Sequence, residues 1–511
     1  MNRVSIAALP RMIAKICSRA ISEFLVLILL AMTSLSIASP SALLVATTAN
    51  EPWKVTTLTA GAQTNFDAAV LRIDHAAERQ TIDGFGGCFN EKGWEVLGWL
   101  DTTTRSAVLT SLFDREHGCA FNLGRLPMGA NDYSLDWYSY DETPEDLDLA
   151  HFSIARDRVY LIPYLRAALA LNKDLRFWAS PWCPPAWMKT NRHYAGLPAP
   201  LNDLRPEQAG QEMVTQFRME PAILGCYARY FGRFIDAYAA EGVPILAVHV
   251  QNEPNSSQNF PSCVWRPEDL ATFIGGYLGP RFMAEHRSTE IWLGTIERPQ
   301  VERVSAVIDS PAGNFIAGVG FQWAGRDAIP EVHARYPALR LMQTETECGN
   351  GANDWAAAEH TWALMRHYFE HGAGSYMYWN IVLDETGNSR WGWRQNAMIT
   401  VDHSTRTVRY NPEFFLMKHF SAFVRRGARF LALERGSSGE SALVFRNPDR
   451  EIVVILANAA DHEHSLVVES NGCRWSASLA ARSFATIVLS GQRPTGDPDE
   501  GRHPIAGSIS R

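Results

Sequence analysis

The sequence predicts a (β/α)8 barrel with an appended β-sandwich, an α/β fold, and three observations predict it. Eight short apolar segments recur from Thr81 onward, helical stretches separate them, and both flanks of this region change to short strands without helices. At 511 residues the chain is long enough for one large domain and a smaller one, since single cores seldom exceed about 300 residues.

The chain begins with Arg3, Arg11, Lys15 and Arg19, followed by the apolar run "FLVLILLAMTSLSIA" from Phe24 to Ala38. A basic region, a short apolar core and then small residues read as a secretory leader over 1–49, with Ser36 and Ala38 or Thr47 and Ala49 marking the cleavage site. The apolar run is shorter than the roughly 20 residues a spanning helix needs, so a cleaved leader is favoured over an anchor, and a secreted or periplasmic location follows. Residues 50–80 supply N-terminal strands, Trp53 to Leu58 and Val70 to Asp74, assigned to the sandwich.

The barrel is expected over 81–425. Its strands are "TIDGFGG" at Thr81, "FNLGRLP" at Phe121, "RFWASPW" at Arg176, "ILAVHVQNEP" at Ile245, "IWLGT" at Ile291, "GVGFQWAG" at Gly318, "RLMQTETE" at Arg340 and "YMYWN" at Tyr376. Between the third and fourth, Tyr227, Tyr230, Phe231, Phe234, Ile235 and Tyr238 recur at helical spacing until Gly242 and Pro244 stop the helix. Trp355 to His371 repeats the pattern, with Gly372 as its stop. A doubly wound sheet is the alternative architecture; it calls for a GxGxxG turn after its first strand, and "GFGGCFN" does not supply one. Over 426–491, "SALVFRN", "EIVVILAN", "HSLVVES" and "SFATIVLS" read as the C-terminal sandwich strands. The polar, Pro- and Gly-rich tail 492–511 is expected to be disordered.

Composition narrows the function. The net charge of −8, more negative once the basic leader is gone, argues against nucleic acid. Seven cysteines outside the leader are odd in number and scattered, which is no disulfide framework, although one bridge would fit. Neither a CxxC pair nor HExxH occurs, so neither metal nor cofactor is expected. Sixteen tryptophans suit a core, and equally suit flat surfaces for sugar rings.

Chemistry in such a barrel collects at the C-terminal ends of the strands. Glu253 stands there on the fourth strand, in "VQNEP", and the seventh strand, across the barrel, offers Glu345 and Glu347 in "LMQTETEC". Two carboxyls about 5 to 5.5 Å apart are the equipment of a retaining glycosidase, one as nucleophile and the other as acid and then base. Alternation puts Glu345 and Glu347 on one strand face, so periodicity leaves the choice between them open.

Taken together in this order, "GFGGCFNE", "RLPMGANDYS", "ASPWCPPAWMKTN", "VQNEP", "QTETECG" and "YWNIVLDETG" with "WGWRQNAMITVD" resemble glycoside hydrolase family 30, from about Thr81 to Phe423. The resemblance implies a barrel with a side β-sandwich and activity as a retaining β-glycosidase. It also implies Glu253 as acid/base and Glu345 as nucleophile. Asn252 would bind the sugar 2-hydroxyl, Glu91 would hold other hydroxyls of the same sugar, and Arg125 would sit near the nucleophile. Trp182 and Trp379 would wall the pocket, with Trp323 and Asn396 lining it. Gln322, Trp323 and Ala324 stand where glucosylceramidases of the family place His and Tyr, and Glu347 is similar to the β-1,6-glucanase branch. A β-1,6-glucan is therefore the expected substrate and partner. The alternatives are a glucosylceramidase, an exo-acting β-glucosidase or β-xylosidase, and more remotely a sugar-binding barrel without turnover.

Overall fold

The computed structural model describes residues 41–61, 69–434 and 441–490. Eight parallel strands form the barrel: β1 (Gly84–Cys88), β2 (Leu123–Met128), β3 (Arg176–Pro181), β4 (Ile245–His249), β5 (Glu290–Ile296), β6 (Ile316–Gln322), β7 (Arg340–Glu345) and β8 (Ser375–Asn380). From β1 to β7 each strand pairs with the next, and β8 returns to β1. The last seam, between β7 and β8, is sparse. Gly374 N–H donates to the Leu341 carbonyl at 2.8 Å, Thr346 N–H to the Met377 carbonyl at 3.1 Å, and the Gln343 side-chain oxygen accepts from Met377 N–H at 2.6 Å. A buried amide side chain thus replaces a missing ladder bond.

β1 is glycine-rich for a steric reason. A Cβ on Gly86 would lie 1.6 Å from the Leu123 carbonyl oxygen, so the close approach of β2 requires a bare backbone there. The helix Pro221–Ala240 buries the predicted aromatic stripe and ends before Gly242, at φ 79°. Asp354 caps the helix Trp355–Glu370 by accepting from Ala357 N–H at 3.0 Å.

Inside the barrel, Leu123, Trp178, Ala247, Trp292, Met342 and Met377 make an apolar plug toward the N-terminal end. Two residues further up the strands stand Arg125, Ser180, His249, Thr344 and Trp379, turned inward by the same alternation. The plug therefore floors a polar layer, and the site is built on that layer.

The sandwich comes from both ends of the chain. Among the described residues nine strands run in the order Cys473–Leu479, His464–Ser470, Ala69–Thr81, Arg429–Leu433, Ala442–Arg446, Ile452–Asn458, Ser483–Leu489, Ser41–Thr48 and Lys54–Thr59. The two ends of this sheet come together where Gly61 N–H donates to the Arg474 carbonyl at 3.0 Å. Val444, Val454, Leu456, Ala485 and Ile487 face the sandwich interior, whereas Leu443, Phe445, Val453, Ile455 and Phe484 belong to the barrel's core. These strands read as unbroken apolar runs because both of their faces are buried.

Two expectations need correction. The strand Ser41–Thr48, inside the stretch assigned to the leader, pairs on both sides and belongs to the sandwich; residues 1–40 lie outside those described. Arg429–Leu433 and Cys473–Leu479 are further strands absent from the expected set. The tail from 492 also lies outside the described residues.

Candidate active site

Backbone geometry brings Glu253 to the barrel mouth. β4 continues beyond His249 in irregular pairing, with Gln251 N–H donating to Gly294 O at 3.2 Å, Asn252 N–H to Pro181 O at 2.8 Å and Glu253 N–H to Thr295 O at 3.2 Å. Glu253 then takes φ 48°, a left-handed conformation uncommon for a side-chain-bearing residue, and Pro254 turns the chain away. Trp323, just past β6, has φ 47°. Left-handed backbone at the ends of β4 and β6 is the kind of local strain found at working sites.

Glu345, the last residue of β7, faces Glu253. Its Oε2 accepts from Arg125 Nη1 at 2.7 Å and Gln322 Nε2 at 3.2 Å, and its Oε1 from Trp323 Nε1 at 3.0 Å. Glu253 Oε1 accepts from the same Gln322 nitrogen at 3.1 Å, and its Oε2 from Gln258 Nε2 at 3.2 Å. One donor shared between two carboxylates holds those oxygens within about 6 Å of each other. Glu347 goes elsewhere, to an ion pair with Arg326 and a contact to His360 at 3.2 Å. The register of β7 shifts between Gln343 and Glu345, and Glu347 lies beyond the strand, so alternation no longer governs it.

Burial disfavours charge on both glutamates. It is the main cause of the upward shift of each, with Glu345 pushed to about 7 by burial and by Glu253, against the pull of Arg125. The partners decide where a single shared negative charge rests. Glu345 is bonded to a guanidinium, Glu253 only to neutral amides, so the charge belongs on Glu345 and the proton on Glu253. One anionic and one protonated carboxyl, facing each other across a small gap, are equipped for acid-assisted displacement at a carbon between them.

The other predicted residues divide. Asn252 Oδ1 accepts from Arg125 Nη2 at 2.6 Å, Thr295 Oγ1 at 2.8 Å and Gln322 Nε2 at 3.3 Å, which leaves its NH2 group for a ligand. Arg125 is fully buried among Trp178, Trp182 and Trp379, with its charge centre 4.4 Å from the Trp182 ring, and it holds Glu345 and Asn252 from below rather than reaching a ligand. Trp182 and Trp379 stack on each other at 5.3 Å. Trp323 touches Glu345 directly.

Glu91 and Asn396 are not brought to the pair as ligand groups. Glu91 is fully buried against Arg156, at 2.7 and 2.9 Å, and accepts from Leu135 N–H at 2.8 Å. Asn396 spends its amide on Glu413 at 2.9 Å and Asn353 N–H at 3.3 Å. Both serve the loops around the mouth.

Asp132 was missed. It is 5% exposed, its Oδ1 has no protein partner, and its carboxyl is pushed well up by burial and by the charges of Glu345 and Glu253. It lies in "RLPMGANDYS", so the signal was present, but an acid in an irregular loop has no periodicity to reveal its direction. Gln258 was likewise silent as an unremarkable amide, and Gln322 stood out in the sequence only as a departure from the glucosylceramidases, with no role for its amide. Glu297, pushed to about 7 by burial and by Glu253, accepts from Asn255 N–H and Ser256 Oγ at 3.0 and 2.8 Å and so shapes the loop after Glu253.

A (β/α)8 barrel with facing buried glutamates at the ends of its fourth and seventh strands has the equipment of a glycoside hydrolase. The model of the glycosyl hydrolase family 30 TIM-barrel domain matches residues 82–424, and the chain belongs to that family. It is 27% identical over 457 residues to "Putative glucosylceramidase 3" of Caenorhabditis elegans, covering 82% of this chain and 81% of the relative. It is 26% identical over 450 residues to an endo-1,6-β-D-glucanase of Neurospora crassa, covering 82% and 88%. Among solved structures, SrfJ from Salmonella typhimurium superposes with a TM-score of 0.79 at 23% identity, over 88% of this chain and all of that one, which is a likeness of fold.

Proposed function

We propose that the protein is a secreted, retaining β-glycosidase acting on β-glucosidic bonds, with β-1,6-glucan as its leading substrate. The observation that carries the mechanism is the single Gln322 nitrogen bonded to both Glu253 and Glu345, a spacing with room for one bond to be broken and little for a water besides. Glu345 attacks the anomeric carbon and forms a glycosyl ester while Glu253 protonates the departing oxygen. Glu253, now ionised, takes a proton from water as that water displaces Glu345 from the sugar. The Asn252 NH2 group is aimed at the 2-hydroxyl, and Asp132 offers an acceptor to hydroxyls further round the ring.

The choice of glucan rests on relatives named as endo-1,6-β-glucanases and on Gln322, Trp323 and Ala324 replacing the His and Tyr of glucosylceramidases. A glucosylceramidase is the second reading, favoured by relatives of that name. Secretion rests on the apolar N-terminal run; among the described residues no helix is long and apolar enough to cross a membrane. Product analysis on β-1,6-glucan and glucosylceramide separates the substrates. For the mechanism, NMR of the first product released from a β-glucoside is expected to show the β-anomer; initial α-anomer means inversion and overturns the double displacement.

A further inference from the structure

Gln322 occupies the centre of the polar layer, fully buried at the end of β6. Its oxygen accepts from Thr344 Oγ1 at 2.9 Å and Arg125 Nη1 at 3.4 Å. Its nitrogen points at three acceptors, Glu253 Oε1 at 3.1 Å, Glu345 Oε2 at 3.2 Å and Asn252 Oδ1 at 3.3 Å. The partners fix this orientation. Turned over, the amide would aim its oxygen at three other oxygens and its N–H groups at a guanidinium. An amide nitrogen carries two hydrogens, so three acceptors compete for two bonds.

We infer that Gln322 is a positioning residue that transfers its hydrogen bonding from Glu345 to Glu253 during turnover and thereby prepares Glu253 to act as the base. The inference rests on the two-glutamate reading above. In the free enzyme the anion is Glu345, and a charged acceptor outcompetes neutral ones for an N–H. Glycosylation forms the Glu345–C1 bond, breaks the bond from C1 to the leaving oxygen and sends the Glu253 proton to that oxygen. Glu345 is then a neutral ester and Glu253 a carboxylate, so the strongest acceptor facing Gln322 has changed sides. The released N–H groups turn to Glu253 and stabilise the ionised form that must take a proton from water. The other charged groups facing Glu253 are Glu345, Asp132, Glu297, Arg125 and Arg298. Of these, Glu345 alone changes charge in this step.

The consequence is asymmetric: loss of the amide should harm deglycosylation more than glycosylation. Gln322→Met keeps the chain length and removes the donor. With a dinitrophenyl β-glucoside, whose leaving group needs no proton, its kcat should fall about 10- to 100-fold with a parallel fall in KM, while kcat/KM stays within about threefold. The acidic limb of kcat should move to higher pH, because an ionised Glu253 without its donor binds a proton more tightly. Azide, which needs no base, should restore kcat. Equal losses in kcat and kcat/KM at constant KM, or no response to azide, overturn the inference.

A wild-type measurement guards against a variant that does not fold. Trapping with a 2-fluoroglucosyl inactivator should shift the Gln322 side-chain amide NMR signals, and unchanged signals sink the proposal. If the inactivator fails to label Glu345 at all, the two-glutamate reading has failed. A normal label with an unmoved Gln322 refutes the role of Gln322 alone.

Discussion

Glu345 and Glu347 are two residues apart, yet one faces Glu253 at the barrel mouth and the other is drawn away to Arg326. The difference is made by partners outside β7: Arg125, Gln322 and Trp323 converge on Glu345, while Arg326 and His360 draw Glu347 away. If Glu345 is the nucleophile, Glu345→Gln should lower kcat by about three orders of magnitude or more, since no nearby group can replace it. Glu347→Gln should remain within about tenfold of wild type, and a fluorosugar label should map by peptide mass spectrometry to Glu345. A label on Glu347 reverses the assignment. At this scale the sequence was legible where chemistry demands a carboxylate at a strand end, as at Glu253. It was silent where the partner is an ordinary amide, as at Gln258, and at Gln322 it showed a substitution but not the contacts, because nothing in spacing tells a glutamine its neighbour.

Between residue and molecule lies the long segment after β2, which reaches from Gly129 to the helix Leu161–Leu171 without a regular element. Asp157 anchors it, fully buried and accepting from the phenols of Tyr138, Tyr140 and Tyr238 at 2.7, 2.7 and 2.6 Å; burial raises its carboxyl to about 6 against those three bonds. Glu91 anchors it again through Arg156 and Leu135 N–H. Asp132, on the same segment, feels the charges of both Glu253 and Glu345, so the anchors fix a group at the mouth without touching the pair. Glu91→Ala strands Arg156, which is partly exposed, and should cost about 2 kcal/mol of stability. With a loosened Asp132 the KM should rise about tenfold and kcat change less than about threefold, measured at a temperature where the variant is folded. A collapse of kcat at constant KM would return Glu91 to the reacting centre. The strands that frame this segment were visible in the sequence as apolar runs. Its own course was not, since its shape is set by buried polar contacts between residues far apart in the chain.

At the scale of the molecule, the barrel and sandwich share one seam, and the first described strand helps to tie it. Ser41–Thr48 lies between Ser483–Leu489 and Lys54–Thr59 and contributes Ala42 and Leu44 to the sandwich core. Its Thr47 hydroxyl meets His419 Nε2 at 2.9 Å, while Thr486 Oγ1 meets Nδ1 at 2.8 Å, so the buried imidazole joins the barrel's final helix, Pro412–Ser421, to two sandwich strands. The leader could be read with either of two cleavage sites because both present small residues, and only pairing across the sheet distinguishes them. Processing after Ala38 keeps this strand; processing after Ala49 removes it. The mature N-terminus, read by mass spectrometry, is therefore expected at or before Ser41. A chain begun at Glu51 should aggregate or melt at least about 10 °C lower, because Ser483–Leu489 would lose a partner and gain an open edge. The same seam contributes to acid sensitivity. Burial lowers the His419 pKa to about 3, below its ordinary value of 6.5, so the fold favours the neutral ring. The stabilisation is whole above pH 6.5 and drains as pH falls toward 3, at up to about 1.4 kcal/mol per pH unit for one proton. Tm should fall between pH 6 and 4 in the wild type and fall less steeply in His419→Gln, whose amide can still bond the two hydroxyls. Parallel Tm-versus-pH curves for the two proteins would show that the imidazole is no part of the acid sensitivity and that the seam is held by its apolar contacts alone.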